Sequence, residues 1–127
     1  MFGDVLEFMV KNDQVGTPAP KLPDYATVML RLRLMAQEYG ELVEAMASGD
    51  LVAIADAIAD LTYVVQGTAV AYGIDIRPVW NLVHHCNMQK SGGKDMGGKV
   101  LKDKEFIPPE PGIKLLLENQ EPIWQRL

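Results

Sequence analysis

Hydrophobic side chains along this chain recur every three or four positions, a spacing that predicts helices. The first such run covers residues 2–11. A Pro-rich connector interrupts the pattern, and a longer run then starts after Asp24 or Thr27 and extends to about Ser48. No segment alternates convincingly with a period of two, so the pattern predicts an all-α fold.

The remaining runs continue the helical pattern. Residues 51–72 are apolar almost all round, which is typical of a helix that is central in a bundle or lies in a subunit interface. A fourth helix is predicted after Asp75, and a short last one at about residues 113–119 precedes an irregular C-terminus. Between these two, residues 91–112 are rich in Gly, Lys and Pro, which predicts an irregular loop or arm.

Turn and capping residues stand where these runs meet. Gly49 suits the position just after a helix, whereas Asp50 and Asp75 suit N-caps. Gly73 is expected to end the third helix. Short connections of this kind favour an antiparallel bundle of four main helices, followed by the C-terminal arm. The whole chain, residues 1–127, is predicted to form a single domain.

Composition narrows the class of protein. With a formal charge of −5, the chain lacks the basic character expected of a nucleic-acid binder. The single cysteine, Cys86, excludes an internal disulfide and fits a reducing cytoplasm. The N-terminal residues resemble no export signal, and the longest apolar stretch, residues 61–74, is shorter than the roughly 20 residues that span a bilayer. We therefore expect a soluble cytoplasmic protein that binds neither nucleic acid nor membrane.

Four acidic residues lie on faces that should otherwise be apolar. Glu38 and Glu41 share an angular sector with the apolar stripe of the second helix. Asp56 and Asp60 stand one turn apart and are the only charged residues between positions 51 and 74. Because burying unpaired carboxylates costs several kcal/mol each, this placement favours a bound cation. Oxygen ligands without a Cys/His cluster favour Mg²⁺, with Mn²⁺ as the alternative.

Ordinary structural explanations are open for the same acidic residues. A Glu pair on a helix is often a solvated face. The two aspartates could also form ion pairs with an arginine such as Arg31, Arg33 or Arg77. The presence of two acidic pairs on the apolar stripes of consecutive helices favours the metal site over these explanations.

The segments around these acids resemble the all-α nucleoside triphosphate pyrophosphohydrolases, a superfamily that includes MazG and the phosphoribosyl-ATP pyrophosphohydrolases. The superfamily signature is a Glu-x-x-Glu pair followed by a Glu-x-x-Asp pair, both of which bind Mg²⁺. The corresponding segments here are EYGEL, from Glu38, and DAIADL, from Asp56. The resemblance to the superfamily spans roughly residues 2–118 and includes the segment from His84 to Lys90. The GKVLK run at residues 98–102, followed by Pro108 and Pro109, is similar to the phosphoribosyl-ATP pyrophosphohydrolase-like branch.

The resemblance implies a Mg²⁺-dependent hydrolase that acts between the α- and β-phosphates of a (deoxy)nucleoside triphosphate or related nucleotide. The products would be a monophosphate and pyrophosphate. The resemblance also implies that Glu38, Glu41, Asp56 and Asp60 bind the metal, and Glu38 is the residue expected to orient or deprotonate the attacking water. It implies a homodimer or a pair of dimers, which the apolar third helix favours independently.

Two positions depart from the family pattern. Ala57 stands where the superfamily usually has Glu, and Asp56, one residue earlier, is expected to replace it as a ligand. Gln37 stands where many members carry a further acid. The alternative function is therefore a non-catalytic helical oligomer that binds a nucleotide or a protein partner at a degraded metal site.

Four residues closer to the C-terminus are candidates for binding the nucleotide. The inward face of the fourth helix is predicted to carry Ile76, Val79, Trp80 and Val83, and Asn87 and Lys90 continue this stripe. An Asn can read a sugar hydroxyl or a base edge, and a Lys can meet a phosphate. Lys99 and Lys102 lie on the Gly-rich arm and could close over a triphosphate. The alternatives are an exposed helix end for the first pair and a solvated loop for the second.

Overall fold

The fold is all-α, as the sequence predicts. The computed structural model describes residues 1–126, and these contain only an isolated antiparallel bridge between Lys94 and Val100, without any β-strand. The regular elements of the described residues are α1 Phe2–Lys11, α2 Tyr25–Ser48, α3 Leu51–Ala71, α4 Ile76–Met88, α5 Glu110–Glu118 and a terminal 3₁₀ turn, Ile123–Arg126.

Side-chain caps begin the two longest helices. The Thr27 N–H donates to the Asp24 carboxylate over 2.8 Å at the start of α2. Two backbone N–H groups in the first turn of α3 donate to the Asp50 carboxylate. Gly49 ends α2 with φ +71°, a left-handed conformation that glycine adopts without strain. The predicted turn between α2 and α3 is therefore confirmed, together with its capping residues.

Two elements near the C-terminus differ from the prediction. Helix α5 begins at Glu110 rather than at Ile113. Pro111 lies in the first turn, where N–H groups have no partner within the helix, so a proline is tolerated there. The C-terminal segment, predicted to be irregular, contains the 3₁₀ turn. There the Ile123 N–H donates to the Pro18 carbonyl over 3.0 Å, and the Ile123 side chain is fully buried.

The chain divides into two compact units. The first contains residues 1–75 and the segment from Gln120 onward, and the second contains Ile76–Asn119. In the first unit, α3 contacts both α1 and α2, and its core includes Phe2, Val5, Leu6, Met9 and Val70. In the second unit, α4 contacts α5. The single domain expected from the sequence stays a prediction.

A buried arginine fixes the register of α2 against α3. Arg31 is only 8% exposed, and its guanidinium donates to the Val64 carbonyl over 2.7 Å and to the Thr68 hydroxyl over 3.2 Å. A Cβ at Gly67 would lie 2.6 Å from Nη2 of Arg31, so glycine at this position leaves room for the guanidinium. Glu38 lies two turns further along the same face of α2, so this register determines which part of α3 it meets.

Much of the apolar surface of α3 is exposed in the single chain. Ile58 and Val65, for example, are 51% and 47% exposed. By length and composition alone, this 21-residue helix could cross a bilayer. It also carries Asp56 and Asp60 and contacts two other helices, as the central helix of a bundle does. The absence of membrane binding stays a prediction.

The prediction that Trp80 lies on the inward face of α4 is wrong. This side chain is 67% exposed, whereas Val79 and Cys86 are buried. Residues 79 and 86 are two turns apart and define the covered face of the helix. Trp80 follows Val79 by one residue and so lies about 100° around the helix from that face.

Candidate metal centre

Three carboxylates from α2 and α3 converge in the first unit. Glu38 and Glu41 are three residues apart on α2 and are therefore neighbours on its surface. Helix α3 brings Asp60 to the same place. One oxygen of each of these carboxylates lies within 4.8 Å of the other two. The structure thus brings together three of the four predicted ligands, and their binding of a metal stays a prediction.

Glu38 is held in an unfavourable environment for a carboxylate. Its Oε2 atom is shielded from solvent and has no hydrogen-bond partner in the described part of the chain. Burial raises the pKa of Glu38 above its ordinary value of 4.5, and the charge and hydrogen bond of Glu41 raise it further, as do the charges of Asp60 and Asp56. A cation would relieve both the repulsion and the unpaired oxygen.

Asp56 lies at the edge of this cluster. It is outside the group of three oxygens within 4.8 Å, but its charge contributes to the raised pKa of Glu38. The next residue, Ala57, is buried, whereas Asp56 is exposed. Position 57 therefore serves the contact between helices in this chain, and the acid stands one residue earlier. The role of Asp56 as a metal ligand stays a prediction.

Among the described side chains, no ion pair neutralises the cluster. Arg31, which lies on the same face of α2, donates to Val64 and Thr68 instead. The alternative of an ion pair with Arg31 is therefore not found. A set of carboxylate oxygens without a protein cation suits a hard divalent ion such as Mg²⁺ or Mn²⁺. The residues present fit the metal that the sequence predicts.

The predicted nucleotide-binding residues all belong to the second unit. Asn87 and Lys99 are exposed, and Lys90 is partly buried. The Nζ atoms of Lys90 and Lys102 lie 5.8 and 5.3 Å from the centroid of the Phe106 ring. Sequence reasoning missed Phe106, although it is the one aromatic residue of an arm otherwise rich in Gly, Lys and Pro. Nucleotide binding by these residues stays a prediction.

Mg²⁺ is expected to stabilise the protein more at about pH 8 than at about pH 5. The raised pKa of Glu38 favours its protonated form in the folded chain, so the metal-free protein loses stability as the pH rises above 4.5 and through that pKa. A divalent ion offsets this repulsion, but protons compete with it at low pH. Thermal unfolding at several Mg²⁺ concentrations across this range measures the effect.

Two variants serve as controls for this pH dependence. Glu38→Gln removes the titrating group, so the Mg²⁺-induced shift in melting temperature should become smaller and nearly independent of pH. Glu44→Gln removes an exposed carboxylate of the same helix and should leave the shift as in the unmodified chain. A Mg²⁺ shift of equal size at both pH values in the unmodified chain would contradict the assignment of Glu38.

Comparison with known proteins gives one family and one relative. A family model described as phosphoribosyl-ATP pyrophosphohydrolase matches residues 6–87, which are about two thirds of the chain. The matched range includes Asp56 and the three converging carboxylates. An uncharacterized protein of Acanthamoeba polyphaga mimivirus is 46% identical over 50 residues, which are 39% of this chain and 20% of that protein. The matched segment is thus a small part of that relative.

Proposed function

Because the chain belongs to the phosphoribosyl-ATP pyrophosphohydrolase family, we propose that it is a Mg²⁺-dependent hydrolase of the α–β phosphoanhydride of a (deoxy)nucleoside triphosphate or related nucleotide. The products are then a monophosphate and pyrophosphate. The observation that supports this most is the group formed by Glu38, Glu41 and Asp60. Their oxygens lie within 4.8 Å of one another, and Oε2 of Glu38 lacks a partner among the described residues.

Each carboxylate has its own role in this proposal. Glu38, Glu41 and Asp60 hold the ion, and Asp56 adds its charge from the edge of the cluster. When bound, such an ion would offset the negative charge of the phosphate oxygens and lower the pKa of a nearby water. Glu38 would also orient that water and accept its proton, since its carboxylate adjoins those of Glu41 and Asp60.

A non-catalytic role is the second candidate. It is favoured by the two departures from the family pattern, Gln37 and Ala57, and by the position of Asp56 outside the group of three close oxygens. With fewer ligands, the ion binds more weakly and the chain serves as a helical oligomer that binds a nucleotide or a protein partner. The first candidate is preferred because the three remaining carboxylates converge and lack a neutralising side chain among the described residues.

Pyrophosphate release from a panel of ribo- and deoxynucleoside triphosphates, together with a phosphoribosyl-nucleotide, tests the proposal. At least one nucleotide should yield pyrophosphate and its monophosphate with Mg²⁺ and neither product with EDTA. Release of orthophosphate would indicate attack at the γ-phosphate and would contradict the proposal. Absence of any product from every nucleotide at high protein concentration would favour the non-catalytic role.

We also propose that copies of the chain associate through the exposed apolar surface of α3, as a homodimer or a pair of dimers in the cytoplasm. An exposed apolar helix face of this extent is unusual in a monomer, and residues such as Ile58 and Val65 contribute to it. Light scattering at micromolar concentration should give a multiple of the 14.1 kDa chain mass. A single species of that mass would contradict the association.

A further inference from the structure

A small cavity lies beside the C-terminal end of α1 in the first unit. Its volume is about 310 Å³, close to the lower limit of pockets that bind small molecules. Four described residues line it: Val10, Asp13, Val15 and Trp124. All four belong to the first unit, and the three converging carboxylates of the candidate metal centre do not line the cavity.

The end of α1 holds Asp13 in an unusual backbone conformation. Asp13 has φ +53° and is the one non-glycine residue with a positive φ in the described part of the chain. Its N–H donates to the Val10 carbonyl over 3.2 Å, and the Gln14 N–H donates to the Met9 carbonyl over 2.8 Å. This pair of hydrogen bonds ends a helix at a position where glycine is usual. Aspartate tolerates the conformation, but glycine adopts it without cost, so the backbone alone gives no reason for a carboxylate here.

The Asp13 carboxylate is unpaired among the described side chains. It takes part in no ion pair or hydrogen bond with them, and the ammonium of Lys11, two residues earlier, does not come within 4.0 Å of it. The C-terminal end of α1 adds the partial negative charge of a helix terminus. Negative potential is therefore concentrated beside the cavity, and no described side chain neutralises it.

The remaining lining of the cavity is aliphatic and aromatic. Val10 and Val15 supply aliphatic carbons, and Trp124 supplies an indole ring that is only partly buried. The neighbouring Ile123 anchors this segment, because its side chain is fully buried and its N–H donates to the Pro18 carbonyl over 3.0 Å. The face of an indole ring attracts cations more strongly than that of the other aromatic side chains. The cavity thus combines one carboxylate, one indole ring and aliphatic walls.

We propose that this cavity binds a small aliphatic ammonium ion. The Asp13 carboxylate and the end of α1 offset the positive charge, Trp124 attracts the cation, and the two valines contact the carbon chain. A divalent metal ion would find one carboxylate, which is too few ligands, and would make no use of the valines. A neutral alcohol would leave the carboxylate unpaired. The ligand is therefore recognised by its positive charge together with its carbon chain.

Proton–nitrogen NMR titration of the full chain, in EDTA and at low ionic strength, tests this site. The probes are n-butylammonium chloride, the neutral n-butanol and ammonium chloride. n-Butylammonium should shift the indole N–H signal of Trp124 with a Kd on the order of 1 mM, and the other two should bind about tenfold more weakly or not at all. The indole signal of Trp80, which is exposed on α4, should stay in place. Trp80→Phe assigns the two signals.

Asp13→Gly is the decisive variant, because its binding should weaken without any loss of stability. Glycine suits the backbone at position 13, so the variant should unfold at the same temperature as the unmodified chain or at a higher one. Its affinity for n-butylammonium should fall about fivefold or more, since an exposed ion pair is lost. Glu7→Gln removes an exposed carboxylate of α1 that does not line the cavity and should bind the probe unchanged.

Three results would overturn the proposal. The first is a Trp124 signal that does not move with n-butylammonium. The second is equally tight binding of n-butanol, which would show that the cavity selects only for apolar carbon. The third is binding of n-butylammonium by Asp13→Gly as tight as by Glu7→Gln. The site is independent of hydrolysis, so Glu41→Gln should bind n-butylammonium as the unmodified chain does.

Discussion

Glu41→Gln is expected to lower the rate of pyrophosphate release by about 100- to 1000-fold, or about 3–4 kcal/mol of transition-state stabilisation. The substitution keeps the size of the side chain but removes one charge from the three carboxylates whose oxygens lie within 4.8 Å of one another. The ion is then held more weakly and is less well placed to offset charge on the phosphates. Asp60→Asn should have a comparable effect. Initial rates over a range of Mg²⁺ concentrations measure both variants.

Glu44→Gln is the matched control for these two substitutions. Glu44 is an exposed residue of α2 and lies outside the group of converging oxygens. The variant loses the same charge as Glu41→Gln but should keep the rate within about twofold, as surface substitutions usually do. Higher Mg²⁺ should restore part of the rate in Glu41→Gln. Equal losses in Glu41→Gln and Glu44→Gln would show that net charge, rather than a specific site, governs the reaction.

Gly73→Ala is expected to destabilise the first unit by about 3–5 kcal/mol. Gly73 is buried and has φ +69°, a conformation that a residue with a side chain adopts at a cost. A Cβ there would also lie 2.7 Å from the Ala19 carbonyl carbon and 2.9 Å from the Thr17 carbonyl oxygen. Backbone atoms move less readily than a flexible side chain, and the Gly73 carbonyl accepts a hydrogen bond from Gln120. Urea unfolding measures the loss.

Gly49→Ala separates the two parts of this effect. Gly49 has φ +71°, but a Cβ there would meet nothing within 4 Å. Only the conformational cost applies, so this variant should lose about 1 kcal/mol. Both variants must be compared at one protein concentration, because association would make the apparent stability depend on it. Equal losses at the two positions would contradict the close approach of Gly73 to the connector before α2.

The ends of the long helices could be predicted because the residues that set them act locally. Asp24 and Asp50 accept hydrogen bonds from N–H groups only two or three residues away, and Gly49 and Gly73 have positive φ at helix ends. Helical spacing and a tight turn were also sufficient to predict that acids of α2 and α3 would converge. The structure brings three of the four together and leaves Asp56 at the edge.

Features that depend on contacts between distant segments could not be predicted. Arg31 has the sequence character of a surface residue, and its guanidinium is buried because Gly67 on another helix leaves room. The exposure of Trp80 depends on which face of α4 is covered. The approach of Lys90 to the Phe106 ring depends on the backbone hydrogen bonds that pair Gly92 and Gly93 with Leu101. A Gly-rich sequence does not reveal this pairing.

The central claim is that Glu38, Glu41 and Asp60 hold a divalent ion, and electron paramagnetic resonance of free Mn²⁺ during titration tests it most directly. The unmodified chain should take up Mn²⁺, and Mg²⁺ should displace it. The double variant Glu41→Gln/Asp60→Asn should bind Mn²⁺ at least about tenfold more weakly, whereas Glu44→Gln should bind it unchanged. Mn²⁺ uptake by the double variant equal to that of the unmodified chain would contradict the claim.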